Sequence, residues 1–299
     1  MSKSTSSAWW QLLRAGNVFT AVSNVLAGFL LVHGEWQPLL PLVFLIVSSA
    51  SLYLAGMVLN DVFDIEIDRA ERPERPLPAG RIDPMLAKVF GWGLMADGVS
   101  AAGVASWLLV SWLPLIAAML LATTIIAYDT VLKSTALGPL AMGACRALNI
   151  LLGASAATSL SNVKPAYIYA FAIGVYTVGL TLLARDEATP TTESKLKLAS
   201  NIIQFGCLLI IVLATILTLP KVGWFAAWLL CLLAIRTHLY EPVMTPSATT
   251  VQRSVSRLIT MFIPLDALAC VAATGWSAGL IVLTLLIPTY IATRRVPMT

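Results

Sequence analysis

Charge is scarce in this chain, with 19 lysines and arginines and 15 aspartates and glutamates among 299 residues. The 11% charged fraction is well under the quarter or so typical of soluble globular domains, which excludes that class. Histidine is scarcer still. His33 and His238 are the only two and show no ligand spacing, so a histidine metal centre is excluded and both are read as interfacial. The four cysteines, Cys145, Cys207, Cys231 and Cys270, each lie inside an apolar run without pairing or metal-site spacing. Neither a disulfide framework nor a thiolate site fits them, and buried, reduced thiols are expected. The opening residues MSKSTSSAWWQLLRAGN are polar, then aromatic, and no early apolar stretch ends in a small-residue cleavage site, so no removable signal peptide is expected. Arginines are interleaved with acids rather than gathered into a basic face, which excludes nucleic-acid binding.

What is abundant is apolar sequence, 58% of residues with a mean hydropathy of +0.84. Runs of roughly 17 to 25 residues, long enough to cross about 30 Å of hydrocarbon, recur throughout. They fall at 17–33, 38–60, 84–109, 112–128, 137–158, 165–184, 199–219, 222–240, 255–274 and 277–293. In lipid such runs must satisfy their backbone internally. The expected fold is therefore all-α, a polytopic transmembrane bundle forming one domain over residues 1–299, with membrane lipids as its surroundings. Short connections alternate with long polar loops near 61–83, 129–136, 185–198 and 241–254. The long loops collect most of the basic residues, among them Arg69, Arg72, Arg75, Arg81, Lys133, Arg185, Lys195 and Arg253. The positive-inside rule places them in the cytoplasm, and the compact size suits a bacterial inner membrane.

Seven of the fifteen acids (Asp61, Asp64, Glu66, Asp68, Glu71, Glu74 and Asp83) lie in one stretch directly after an apolar run. In NDVFDIEID, Asp61, Asp64 and Asp68 are spaced i, i+3, i+7, so a continuing helix stacks them on one face beside Asn60. Like charges so placed require a cation. Oxygen-only ligands suit magnesium, which takes one or two carboxylates together with substrate phosphates and water. The following RAERPERPLPAGR supplies arginines able to fork onto phosphate oxygens, with prolines that stop the helix. Together these point to magnesium-assisted handling of a diphosphate.

These residues resemble the UbiA superfamily of intramembrane prenyltransferases, whose first motif, N-D-x-x-D-x-x-x-D, is matched by Asn60, Asp61, Asp64 and Asp68. Two more segments look like the family: YDTVLKS, with Tyr128 and Lys133, and GPLAMGACRALNILLG, with Arg146 and Asn149. Asn17 matches a family position that lines the acceptor side. The usual second aspartate-rich motif is replaced by ARDEATPTTESK, leaving Arg185, Asp186, Glu187 and Glu193. That thinned motif and the uninterrupted first one are most similar to the EboC-like branch. The resemblance implies about nine or ten spans and a Mg2+-dependent enzyme that ionises a prenyl diphosphate and transfers the prenyl group to an acceptor. It implies Asp61, Asp64, Asp68, Lys133 and Asp186 as catalytic, and Asp61, Asp64, Asp68, Asp186 and Glu187 as metal ligands. Asn17, Asn60, Arg72, Arg75, Tyr128, Arg146, Asn149 and Arg185 would hold diphosphate or acceptor. Phe63, Tyr53 and Tyr128 are expected to wall the chamber around the allylic cation. The acceptor the resemblance implies is an aromatic or hydroxyl-bearing small molecule or lipid.

Charged residues inside spans cost a few kcal/mol to insert on translocon scales, and Asp97, Arg146 and Asp266 are the candidates for a special role. Arg146 is expected to face a pocket, Asp97 and Asp266 to pair with neighbouring helices. Two other activities use similar features: a membrane terpene cyclase, which needs no acceptor, and a transporter of an anionic lipid or metabolite, which should show helices broken near the bilayer midplane.

Overall fold

The structure, a computed structural model, describes residues 5–157, 163–185, 193–212 and 222–295. Every regular element among them is helical. Helix α1 (Thr5–Leu12) is followed by α2 (Val18–His33), α3 (Leu39–Phe63), α4 (Ile65–Glu71), α5 (Pro84–Leu109), α6 (Leu113–Thr130), α7 (Gly138–Ala154), α8 (Lys164–Arg185) and α9 (Glu193–Leu209). The chain continues through Val222–Met244, Ala248–Thr260, Phe262–Thr274, Trp276–Leu283 and Leu286–Arg295.

Seven described stretches are long and apolar enough to cross a membrane. The 26-residue α5, the shorter apolar α7 and the amphipathic α9 accompany them. This is the integral membrane bundle the composition requires. The segment read at 84–109 is α5 residue for residue. Its start is fixed by Asp83, whose side chain accepts from the Leu86 amide at 2.8 Å, and by Pro84 in the first turn. At the other end of α2, Gly34 takes φ 70° and its amide caps Leu30 O at 2.8 Å, a left-handed position that favours glycine.

Two apolar runs are not single helices. The run at 255–274 is divided at Met261, and that at 277–293 near Thr284 and Leu285. In each case a proline, Pro264 or Pro288, is the third residue of the following helix. Its missing N–H cannot bond back across the junction, so the ladder is interrupted while the apolar surface continues.

Helix α2 is the central element, with 78% of its most apolar stretch buried, against 22% for Val222–Met244 and for Trp276–Thr293 at the periphery. It packs against α7, α3 and Phe262–Thr274, while α3 lies along α5, and α8 along α7 and α9. Exposed apolar side chains such as Trp107, Leu120, Phe171, Leu230 and Ile287 form the outer surface, as suits a lipid solvent.

The crossing of α2 and α7 is made by two glycines. A Cβ on Gly28 would lie 2.0 Å from Ile150 O, and one on Gly153 2.1 Å from Val25 O. Only hydrogen fits at either place, the small-residue device that lets membrane helices touch backbone to backbone. Gly153→Ala is expected to lower stability by about 1–3 kcal/mol through backbone separation. Gly103→Ala, where a Cβ meets nothing within 4 Å, is expected to leave stability unchanged or slightly raised. Thermal unfolding in detergent checks both, and equal midpoints for the two variants would contradict the packing account.

A second, smaller apolar cluster joins Ala8 and Leu12 of α1 to Val58, Leu77, Ile82 and Ala87. It seats the α4 segment and the turn after it against the end of α3. Arg81 reinforces this, its Nη2 donating to Gln11 Oε1 at 2.8 Å and to Glu74 O at 3.0 Å.

Candidate active site

A cavity of about 610 Å³, within the range of small-molecule sites, opens where α3, α4, α6, α7 and α8 end together. The acidic motif forms its mouth. The helix does not run unbroken through Asp68, as the spacing suggested. It breaks at Asp64 (φ −89°, ψ 3°), which joins α3 to α4. Backbone bonds nevertheless bridge the joint, Asp64 N to Asn60 O at 3.0 Å and Asp68 N to Asp64 O at 2.8 Å. The shared face therefore survives the break: Arg75 Nη1 lies 2.7 Å from Asp68 Oδ2 and 3.5 Å from Asp61 Oδ1.

Lys133 stands on the short turn Leu132–Ser134 between α6 and α7. Its ammonium donates to Asp64 Oδ1 and lies 3.4 Å from Asn60 Oδ1. Arg185, at the end of α8, holds this turn rather than reaching the acids: Nη2 donates to the carbonyls of Lys133 and Thr135, both at 2.6 Å. Gly138 makes room for it, since a Cβ there would sit 2.2 Å from that nitrogen. Arg185→Ala is expected to free the turn and lower kcat/KM for pyrophosphate release on the order of 10–100-fold, the scale of a 1 Å misplacement of a reacting group. Unfolding temperature should change little, because the lost bonds lie at an exposed edge. An unchanged kcat/KM would show that Lys133 needs no such support.

Deeper along α3, Ser49 and Tyr53 line the cavity with Asn17, Arg146, Asn149 and Phe262. Asn60 and Ser49 are eleven residues apart on α3, about 16 Å along the axis, so the cavity is elongated. Arg146 donates to Asn24 Oδ1 at 3.0 Å and Thr20 Oγ1 at 2.9 Å and lies 4.3 Å over the Phe262 ring. Asn24 in turn donates to buried Asp266, which also accepts from Ser23 and Tyr169. Asp266 thus pairs across helices as expected, and so does Asp97, which accepts from Ser51 at 2.7 Å. Asn149 donates to Ala21 O and accepts from Ser49 Oγ at 2.7 Å.

Of the residues singled out in the sequence, Asn17, Asn60, Asp64, Asp68, Arg72, Arg75, Tyr128, Lys133, Arg146, Asn149 and Arg185 all line this one cavity. Asp61 lies just behind its wall, 5% exposed and ion-paired to Arg75 and Arg14. Asp186 and Glu187 lie outside the described residues. Of the expected aromatic walls, Tyr53 and Tyr128 line the cavity. Phe63 does not: it is 37% exposed, because it precedes the joint at Asp64 and points off the acidic face. The cysteines are all free thiols, but Cys145 lines the cavity and Cys231 is only partly buried, so the expectation of full burial holds for Cys207 and Cys270 alone.

Two residues at the site escaped the sequence reading. Arg14, to which the sequence assigns no site role, adopts φ 43°, uncommon for a non-glycine residue, and places Nη2 3.4 Å from Asp61 Oδ1. Asp129, adjacent to the motif tyrosine, is 4% exposed, lines the cavity, and has one oxygen without any hydrogen-bond partner.

Six basic side chains (Arg14, Arg72, Arg75, Lys133, Arg146, Arg185) line the cavity against four acids (Asp64, Asp68, Glu71, Asp129). The arrangement suits an anion that arrives with a hard cation. The acidic donors offer only carboxylate oxygens, and among the described residues no three Asp, Glu, His or Cys side chains form a metal cage by themselves. That is the donor set of a magnesium whose remaining positions are filled by phosphate oxygens and water, so the residues present fit the ion.

The UbiA prenyltransferase family model matches residues 21–235. The chain is 40% identical over 93 residues to the digeranylgeranylglyceryl phosphate synthase of Sulfolobus acidocaldarius, covering 31% of this chain and 33% of that one. It is 42% identical over 82 residues to the protein of the same name from Methanocaldococcus jannaschii, covering 27% and 28%. The matched parts are therefore about a third of the length of these relatives. Among solved structures, a UbiA homolog from Aeropyrum pernix K1 superposes with a TM-score of 0.70 at 18% identity, covering 89% of this chain and 98% of that one. A UbiA homolog from Archaeoglobus fulgidus bound to DMAPP and Mg2+ does so with a TM-score of 0.61 at 15% identity, covering 92% and 99%. The fold is shared with these structures, and the family match spans the helices that carry the acidic motif, the Lys133 turn and Arg146. This chain belongs to the UbiA prenyltransferase family.

Proposed function

We propose that the chain is a magnesium-dependent intramembrane prenyltransferase that ionises an allylic polyprenyl diphosphate and passes the prenyl group to a hydroxyl-bearing or aromatic acceptor. The observation that carries this reading is the joining of Asp64, Lys133 and Asn60 with the Arg75-bridged pair Asp61 and Asp68 at the mouth of an elongated cavity. Asp64 and Asp68, with Asp61 behind them, would hold magnesium, which when bound neutralises diphosphate charge. Lys133, Arg72 and Arg75 take the charge that grows on the leaving oxygens as the allylic C–O bond breaks, stabilising the transition state more than the ground state. Arg14 and Arg75 keep the acids from repelling one another beforehand.

Apolar side chains such as Leu121, Ile125, Met142 and Leu180 would receive the prenyl tail and exclude water. Tyr53 and Tyr128 line the cavity, where aromatic rings can steady the allylic cation. Arg146, Asn149 and Asn17 supply donors and acceptors for a polar acceptor head. Relatives named for digeranylgeranylglyceryl phosphate support a glyceryl phosphate carrying one prenyl chain as the first acceptor to try. The basic loops at the mouth support a cytoplasmic orientation.

The test is product analysis in lipid nanodiscs with geranylgeranyl diphosphate, magnesium and either geranylgeranylglyceryl phosphate or 4-hydroxybenzoate. A prenylated acceptor formed only when all components are present supports transfer. A cyclic hydrocarbon formed without acceptor would reassign the chain as a cyclase, and failure to bind the diphosphate would remove the reading altogether.

A further inference from the structure

Four aspartates among the described residues are buried, and three have their charge answered. Asp61 and Asp68 pair with arginines, and Asp266 accepts from Ser23, Asn24 and Tyr169. Asp129 differs. It is 4% exposed, no hydrogen bond or ion pair engages it, and its Oδ2 is wholly shielded and unpartnered. A buried carboxylate left like this costs several kcal/mol unless something completes it. Lys133, one turn along the chain, does not do so, because its ammonium is directed to Asp64 and Asn60.

Asp129 lines the same cavity as Asp64, at its cationic mouth. An incoming group that meets this carboxylate from the cavity must therefore bring positive charge or a donor. The diphosphate is itself an anion and would be repelled, whereas the cation accompanying it would be attracted. The sequence gives an independent reason to look for another oxygen ligand here. Where a second aspartate cluster would stand after α8, this chain has only the adjacent acids Asp186 and Glu187 in ARDEATPTTESK.

We propose that Asp129 is an additional carboxylate ligand for a divalent cation bound with the diphosphate. The ion then rests on one or two carboxylates, with diphosphate oxygens and water completing its shell, so no three-acid cage is required. This inference rests on the diphosphate reading of the cavity proposed above.

The test uses the full chain in detergent, with Mn2+ as the probe cation followed by its EPR signal and with inorganic pyrophosphate as the anion, so that no turnover is needed. Wild type should bind Mn2+ more tightly when pyrophosphate is present. Asp129→Asn, which keeps shape and removes the charge, should weaken that pyrophosphate-dependent binding at least about tenfold, the scale of losing a metal-site contact. Asp129→Glu should recover part of it. Without metal, Asp129→Asn should unfold at the same temperature as wild type or higher, since the unanswered charge is gone, which keeps misfolding apart from ligand loss. Asp129→Asn binding Mn2+ as wild type does, while wild type responds to pyrophosphate, overturns this proposal and leaves the diphosphate reading standing. Wild type showing no pyrophosphate-dependent Mn2+ binding overturns both.

Discussion

Asp64→Asn is expected to lower turnover on the order of 10²–10³-fold, the range seen when one preorganised electrostatic contact to a transition state is removed. The size of the effect follows from position. Asp64 is the joint between α3 and α4, the partner of Lys133, and a wall of the cavity mouth. On the proposed function, changing it removes a cation ligand and at the same time unlatches the lysine proposed to balance leaving-group charge. Little of the fold depends on it, because the joint is held by backbone bonds on either side and by the apolar cluster beneath α4. The loss should fall on kcat with the unfolding temperature nearly constant. Lys133→Ala should cost a similar amount, and the double variant little more than either single one, since the two side chains act as a unit. Full additivity would show that they act separately.

Asp266→Ala is expected to have the largest effect on stability, about 2–4 kcal/mol. Interhelical hydrogen bonds in a membrane average only about 0.6 kcal/mol each, so three simple bonds account for roughly 2 kcal/mol. Here one fully buried carboxylate accepts all of them, from Ser23 at 2.5 Å, Asn24 at 2.8 and 2.9 Å and Tyr169 at 2.7 Å. Its removal leaves the Asn24 amide and the Tyr169 hydroxyl without this acceptor, while Ser23 keeps Thr20 O, which adds to the cost. The loss also reaches the cavity, because Asn24 is one of the two residues that hold Arg146. Asp266→Asn, which retains an acceptor oxygen, should be milder. Unfolding midpoints in detergent measure both, and an unchanged midpoint for Asp266→Ala would mean that the cluster contributes no net stability.

The acidic motif was legible because helical periodicity is local. Spacing of i, i+3, i+7 puts three carboxylates on one face whatever surrounds them, and the break at Asp64 is gentle enough to preserve that face. Some span boundaries, 84–109 above all, were legible for a similar reason, since hydrocarbon thickness sets segment length. Continuity was not, because Pro264 and Pro288 interrupt the backbone ladder without interrupting the apolar surface. Arg14 and Asp129 were invisible for a different cause. The pairing of Arg14 with Asp61 spans 47 residues, and no pattern near Arg14 announces it. Asp129 reads locally as a polar residue at a helix end, and only burial by other helices reveals it as an unanswered charge. Arg185 lines the cavity, and the structure adds a contact to the Lys133 turn across 52 residues that no local pattern announces.

The central claim is that this cavity breaks an allylic C–O bond with help from a divalent cation. The most direct measurement is pyrophosphate release from geranylgeranyl diphosphate by the purified chain in nanodiscs, with magnesium and with the ion chelated, for wild type and Asp64→Asn. Release that requires magnesium and is lost in the variant is the expected result. Release unaffected by chelation or by Asp64→Asn, or no release despite bound diphosphate and every acceptor offered, would contradict it.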